Sequence, residues 1–305
     1  QFGLRATYDQ TWINPLGAEF GAVLTLGNAP SLRAEFFQPL SLDRAAFVAP
    51  YLDFNLSPDS VFVDDQRVAR YDVVRGRVGA DLGTTLYGVE IRAGAYYGQT
   101  KVTLDTGSPE LPEGRITDTG VRARFLYDTL DSAAVPRSGT RIFLEAQNPL
   151  EDLGADVQYT RAFLSATTAY SFGPNTLALK LKGGSSFGDQ MPYYDQFPLG
   201  GFLNLSGYAN EQFRGNDMAF AGLAYYRQIA ALPPPLGRGL YLGASLEAGW
   251  LSEGVIRNPA TDQNVILSPE QSGYGGSVFF GSDTWIGPAF LGFGLSGSGE
   301  SAIYV

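Results

Sequence analysis

The 305-residue chain contains no cysteine and no histidine. The first absence excludes a disulfide scaffold and thiolate metal sites, and is compatible with the bacterial periplasmic route. The second removes every serine–histidine nucleophilic arrangement and every histidine-based metal site. No run of about 20 apolar residues is present, so no transmembrane helix is expected; the mean hydropathy is −0.06. Lysine is nearly absent. Basic residues number 21 against 31 acidic ones, a net charge of −10 that argues against nucleic acid as a partner. No signal peptide is visible, because Gln1-Phe2-Gly3-Leu4 already reads as strand; the chain is read as mature or trimmed.

What the sequence does have is alternation. Val89, Ile91, Ala93, Ala95 and Tyr97 fall on one face of an extended segment, and Glu90, Arg92, Gly94 and Tyr96 on the other. The same pattern recurs along the chain, as in Val121, Ala123, Phe125 and Tyr127 against Arg122, Arg124 and Asp128, or Leu242, Ala244, Leu246 and Ala248 against Ser245 and Glu247. Strands are predicted over 2–13, 18–27, 31–38, 46–56, 66–82, 88–104, 117–130, 139–148, 154–172, 176–186, 218–230, 239–251, 273–282, 288–297 and 300–305. Tight turns are expected at Asn14-Pro15-Leu16-Gly17 and Phe172-Gly173-Pro174-Asn175. Long polar connections are expected at Asp105–Ile116, Phe187–Asp217 and Ser252–Ser272.

The apolar face almost never admits a charge. Arg75, Arg77, Arg92, Arg122, Arg124 and Arg141 all lie opposite it, as do Asp81, Glu90, Asp128, Glu145 and Glu247. A soluble sandwich or propeller would carry such charges outward, and no blade-like repeat is present. The pattern fits an all-β transmembrane antiparallel barrel of about 16 strands: lipid outside, and inside a lumen cross-linked by ion pairs, because buried arginines need acids nearby. The 38 glycines and 37 phenylalanine and tyrosine residues fit as well, the aromatics as interfacial girdles and the glycines as points of close approach.

The connection 187–217 is unusual for a loop. It holds the stretch from Phe197 to Tyr208, with the pair Gly200-Gly201 permitting a sharp reversal. Its apolar content implies that it folds inward and packs. This segment resembles the sixth extracellular loop of the outer-membrane protein 85 superfamily, which dips into a sixteen-stranded barrel and presents an Arg-Gly-Phe or Arg-Gly-Tyr tip. The stretch Tyr127-Asp128-Thr129-Leu130-Asp131, followed by Val135-Pro136-Arg137-Ser138-Gly139-Thr140, resembles a periplasmic turn of that superfamily. Asn14-Pro15-Leu16-Gly17 resembles the turn after its second strand.

One departure is specific. At the tip stand Leu205, Ser206, Gly207 and Tyr208, with Ser206 where the superfamily's assembly and secretion pores have arginine. The stretches Leu199–Gly207 and Ala224-Tyr225-Tyr226-Arg227-Gln228-Ile229 resemble the barrel of patatin-like outer-membrane phospholipases, a type of autotransporter. The resemblance implies one C-terminal barrel domain over 1–305, an integral outer-membrane location, and a first strand, a periplasmic linker and a patatin hydrolase domain ahead of residue 1. It also implies a parent protein that hydrolyses phospholipid acyl esters, and as partners outer-membrane lipids, the chain's own hydrolase domain, the assembly machinery and a homodimer. An assembly or secretion pore of the same superfamily and a diffusion porin stand as alternatives.

The chain itself is read as non-catalytic and without a cofactor or metal. No Gly-x-Ser-x-Gly elbow occurs; Gly183-Gly184-Ser185-Ser186-Phe187 and Gly294-Leu295-Ser296-Gly297-Ser298 each break at the last position. Asp59, Asp64, Asp65, Glu110 and Glu113 lack the spacing of a calcium loop and read as solvated surface charge.

Overall fold

A computed structural model describes residues 3–43, 45–63, 66–107, 113–233, 236–258, 263–268, 270–284 and 287–305. The chain opens with strands β1 (Gly3–Gln10), β2 (Glu19–Gly27), β3 (Ser31–Pro39), β4 (Ala46–Val63) and β5 (Gln66–Leu86). Then come β6 (Val89–Thr106), β7 (Gly114–Asp128), β8 (Gly139–Pro149), β9 (Arg161–Phe172) and β10 (Asn175–Ser185). The short strands β11 (Phe197–Leu199) and β12 (Phe213–Gly215) precede β13 (Met218–Ala231) and β14 (Gly237–Leu251). The chain ends with β15 (Gly254–Asn258), β16 (Gln263–Ser268), β17 (Gln271–Thr284), β18 (Gly287–Ser296) and β19 (Ser301–Tyr304).

Fifteen strands form one antiparallel sheet in sequence order from β1 to β10, then β13, β14, β17, β18 and β19. The hairpins β11–β12 and β15–β16 stand apart from it. Because every neighbour is antiparallel, strand direction sorts the connections between two ends. The turns 11–18, 87–88, 129–138 and 173–174 share one end. The connections 150–160, 186–217 and 252–270 share the other. The three longest connections thus gather at one end, away from most of the short turns, which is the habit of outer-membrane barrels.

The predicted alternation is the sheet's inside-out burial. On β6, Ile91, Ala93, Ala95 and Tyr97 are exposed, while Tyr96, Gly98 and Thr100 are buried. On β14, Leu242, Ala244, Leu246 and Ala248 are exposed, while Tyr241, Gly243, Ser245 and Glu247 are buried. An outer surface this apolar is incompatible with water and suited to lipid. Trp12, Tyr87, Tyr170 and Phe172 are exposed beside turns of the short-turn end, where aromatics anchor a barrel at the membrane–water interface.

Three expectations need correction. The strand foreseen over 154–172 starts only at Arg161. Before it, a 3₁₀ turn at Glu151–Leu153 ends on Gly154 at φ +95°, and the amide of Asp156 bonds the carbonyl of Thr117 rather than joining a ladder. The connection Ser252–Ser272 is not simply a polar loop, for it carries the β15–β16 hairpin. The strand expected over 46–56 runs on through Pro58 to Val63. Beyond Asn55 it pairs with β5 but no longer with β3, so a residue lacking an N–H is tolerated there.

The inward loop and the ion-paired inner face

Six arginines foreseen on the inner face each meet an acid. Arg122 grips Asp81 with two nitrogens, at 3.0 and 2.6 Å, and lies 3.7 Å over the ring of Tyr51. Asp81 is on β5 and Arg122 on β7, so the pair spans the intervening strand β6. It does so over Gly94, whose position is paired with both residues. A Cβ at Gly94 would lie 2.3 Å from the Asp81 Oδ1, so only glycine leaves room for the crossing. Arg77 pairs with Asp118 in the same way over Gly98. Arg92 bonds Glu90 at 2.7 Å and reaches Glu35 at 2.9 Å. Arg124 bonds Glu145 at 2.6 Å, and Gln147 donates to the same carboxylate. Arg141 and Asp128, 3.4 Å apart, lie at the short-turn end and stay partly exposed.

Besides Arg77, whose partner Asp118 lies outside the foreseen set, two members are not paired within it. Arg75 bonds Asp195 of the 187–217 connection at 2.7 Å. Glu247 instead receives the tip of that connection. Leu205 N and Ser206 N donate to one of its oxygens at 2.7 and 2.6 Å, and Ser206 Oγ and Ser245 Oγ to the other at 2.9 and 2.6 Å. Ser206 is 0% and Glu247 4% exposed, which removes water as a competitor for these bonds. Two successive amides converge on one carboxylate because Leu203 and Leu205 adopt φ +53° and +82°. This is a main-chain anion nest, built without any arginine.

Gly200 and Gly201, at φ +122° and +106°, make the reversal that leads into the tip. Gly207 lies at φ +102°, and a Cβ there would stand 2.2 Å from Ser296 N on β18. The hydroxyl of Tyr304 accepts from Gly207 N and donates to the carbonyl of Tyr208, both at 2.9 Å. Phe202 packs among Phe279, Phe290 and Tyr304. Small residues of the sheet form the floor: Phe197 lies against Gly184, Leu199 against Gly249 and Phe202 against Gly292.

The root of the loop is held by charge. Besides Arg75, Asp195 accepts from Tyr159 Oη at 2.6 Å, and its carbonyl accepts from Arg161 Nε at 3.0 Å. Burial pushes the Asp195 carboxyl up, but Arg75, then Arg77, the Tyr159 hydroxyl and Arg161 outweigh it and hold it below the usual carboxylate range. Arg214 bonds Asp59 of β4 at 2.8 Å and Glu211 at 2.9 Å. The loop thus touches β4 through its root and β18 and β19 through its tip, and a sheet that meets one inserted loop at such distant strands must curl around it.

Asp59 corrects the reading of surface acids, since it is 5% exposed and paired. Glu113 keeps an exposed position and accepts from Leu104 N. Asp64, Asp65 and Glu110 lie outside the described residues. Asp118 and Glu35 were missed, although Asp118 shares the period-two row of Arg122 and Arg124. Asp195 carries no periodic signal.

The turn resembling the superfamily's periplasmic motif also folds inward. Asp131 Oδ1 accepts from Arg137 N and Ser138 N, Tyr226 donates to the carbonyl of Pro136, and Val135 packs on Tyr226, Tyr241 and Phe279.

An apolar outer face, a charge-paired inner face and a long loop tucked against it define an outer-membrane β-barrel. The Omp85 superfamily domain matches residues 16–282, and the chain belongs to that superfamily. Its fold is similar to that of BamA from Haemophilus ducreyi lacking POTRA domains 1-3, with a TM-score of 0.72 over 99% of this chain and 67% of that one, at 14% identity. It is also similar to CdiB from Escherichia coli, with a TM-score of 0.62 over 96% of this chain and 55% of that one, at 14% identity. The chain thus spans about two thirds of that BamA and just over half of that CdiB. No curated protein matches the chain. It is an integral protein of the outer membrane, as its family and its lipid-suited surface agree.

Proposed function

We propose that this barrel is the outer-membrane anchor and translocator of a patatin-like phospholipase, whose hydrolase domain precedes residue 1 and cleaves phospholipid acyl esters. The chain itself takes no part in the chemistry. The observation that carries this reading is Ser206. The loop tip engages Glu247 through a hydroxyl and main-chain amides, where an assembly or secretion pore of the superfamily would present a guanidinium. The resemblance of Leu199–Gly207 and Ala224–Ile229 to patatin-type barrels points the same way. The lumen also favours an anchor over a diffusion porin, since ion pairs and the inserted loop occupy it.

The second reading, a pore that assembles or secretes other outer-membrane proteins, is supported by the likeness to BamA and CdiB, which shows a shared fold. The full-length gene product separates the two. A patatin domain with a Gly-x-Ser-x-Gly elbow, and release of fatty acid from phospholipid vesicles by the full chain, support the first reading. A series of tandem periplasmic domains without lipolytic activity overturns it in favour of the second.

A further inference from the structure

Below the loop tip lies a cavity of about 180 Å³. Leu203 of the loop lines it on one side and Val135 of the inward turn on another, with Tyr226, Tyr241 and Phe279 among the aromatic walls. Two charged side chains reach it, Lys180 and Glu247. Glu247 is committed, its two oxygens already accepting four hydrogen bonds. Lys180 is attracted by Glu247 only through space and makes a single hydrogen bond, at 3.4 Å to the carbonyl of Leu203. That is long for a hydrogen bond, and an ammonium carries three donors. The two charges are not within salt-bridge distance.

An apolar chamber with one under-used ammonium at its wall is complementary to a small amphiphile with an anionic head. An apolar cavity of about 150 Å³ accommodates benzene, so this one accepts one short alkyl chain and excludes a two-chain lipid. We propose that the cavity binds a single-chain alkyl carboxylate, with its head on Lys180 and its chain among Val135, Tyr226, Tyr241 and Phe279. The proposal goes beyond the anchoring role and stands or falls independently of the hydrolase reading.

The test uses the barrel in phosphatidylcholine nanodiscs and ¹³C-carboxyl octanoate, observed by NMR. Saturable binding at one site per barrel is expected. Lys180→Met should weaken it about tenfold or more, the worth of one charge-assisted hydrogen bond. Ala224→Phe, which fills the cavity and spares the lysine, should abolish it; Ala178→Leu serves if that variant does not fold. Octylammonium should not bind. Exchanging the nanodisc lipid for phosphatidylglycerol should leave the affinity unchanged. The proposal is overturned if octanoate merely partitions as into empty nanodiscs, if Lys180→Met binds as well as the parent, or if phosphatidylglycerol displaces octanoate and marks a lipid-headgroup site.

Discussion

The root and the tip of the inserted loop are fixed by different chemistry. At the root, guanidinium groups on β5 and β9 converge on Asp195, and Arg214 reaches back to Asp59. At the tip, main-chain amides converge on Glu247, and the floor is shaped by residues without side chains. The root therefore depends on which charges are present, and the tip on backbone shape. A root residue can be replaced at an electrostatic cost; a tip residue that adds a single carbon has nowhere to put it.

Breaking the tip should have the largest effect. Gly207→Val forces a β-branched side chain into a left-handed conformation and against Ser296 N, and should cost about 5 kcal/mol or more, strain and overpacking together. On unheated electrophoresis the compact folded band should disappear. Asp195→Asn comes next, because it leaves Arg75 buried without its carboxylate; the expected loss is about 3–5 kcal/mol, read as a lower urea midpoint of the refolded barrel. Its pH behaviour sharpens the contrast. The folded carboxyl titrates below the unfolded one, so its stabilisation is complete above the ordinary carboxylate pKa of about 4 and lost as pH falls through the lower, folded value. The Asp195 contribution, read as the difference in urea midpoint between the parent and Asp195→Asn, should be unchanged between pH 7 and 5 and shrink only in stronger acid.

A third variant separates the latch from its surroundings. Leu246 lies on β14 between Ser245 and Glu247 but points outward and is 73% exposed. Leu246→Arg places a charge in lipid beside an intact tip contact, and should cost about 2–4 kcal/mol near the bilayer midplane. A loss under 0.5 kcal/mol would refute a lipid-facing outer surface. The smallest effect belongs to Ser206→Ala, which removes one hydroxyl and keeps both amide bonds, about 1 kcal/mol. If it matched the loss from Gly207→Val, the side chain rather than the backbone would be holding the tip.

The sheet was legible in the sequence because both its faces are uniform: a period-two signal survives along nearly every strand when one side meets lipid and the other meets charge. It misled at 155–160, where alternation continues but the amide of Asp156 bonds Thr117 at the start of β7. The loop's reversal could be read from Gly200-Gly201, and the acid at Glu247 from its row. Its partners could not, because the nest depends on the dihedral angles of Leu203 and Leu205, which no side-chain pattern announces. Asp195 and Arg214 were hidden for a related reason: loop charges have no periodicity, and their partners sit 120 and 155 residues away in sequence, at Arg75 and Asp59.

The crossings over Gly94 and Gly98 also determine how β5 can pair with β6. The two rows run in opposite electrical order, Asp81 to Arg122 in one and Arg77 to Asp118 in the other. A slip of two residues would set Asp81 opposite Tyr96 or Arg92, where no gap exists for the carboxylate. A slip of four in one direction would bring Asp81 across Gly98 towards Asp118, acid against acid. In the other direction it would bring Arg77 across Gly94 towards Arg122, base against base. The pairs thus act as an alignment code for the strands, one that rejects a wrong register in either direction by repulsion before the loop has to fold.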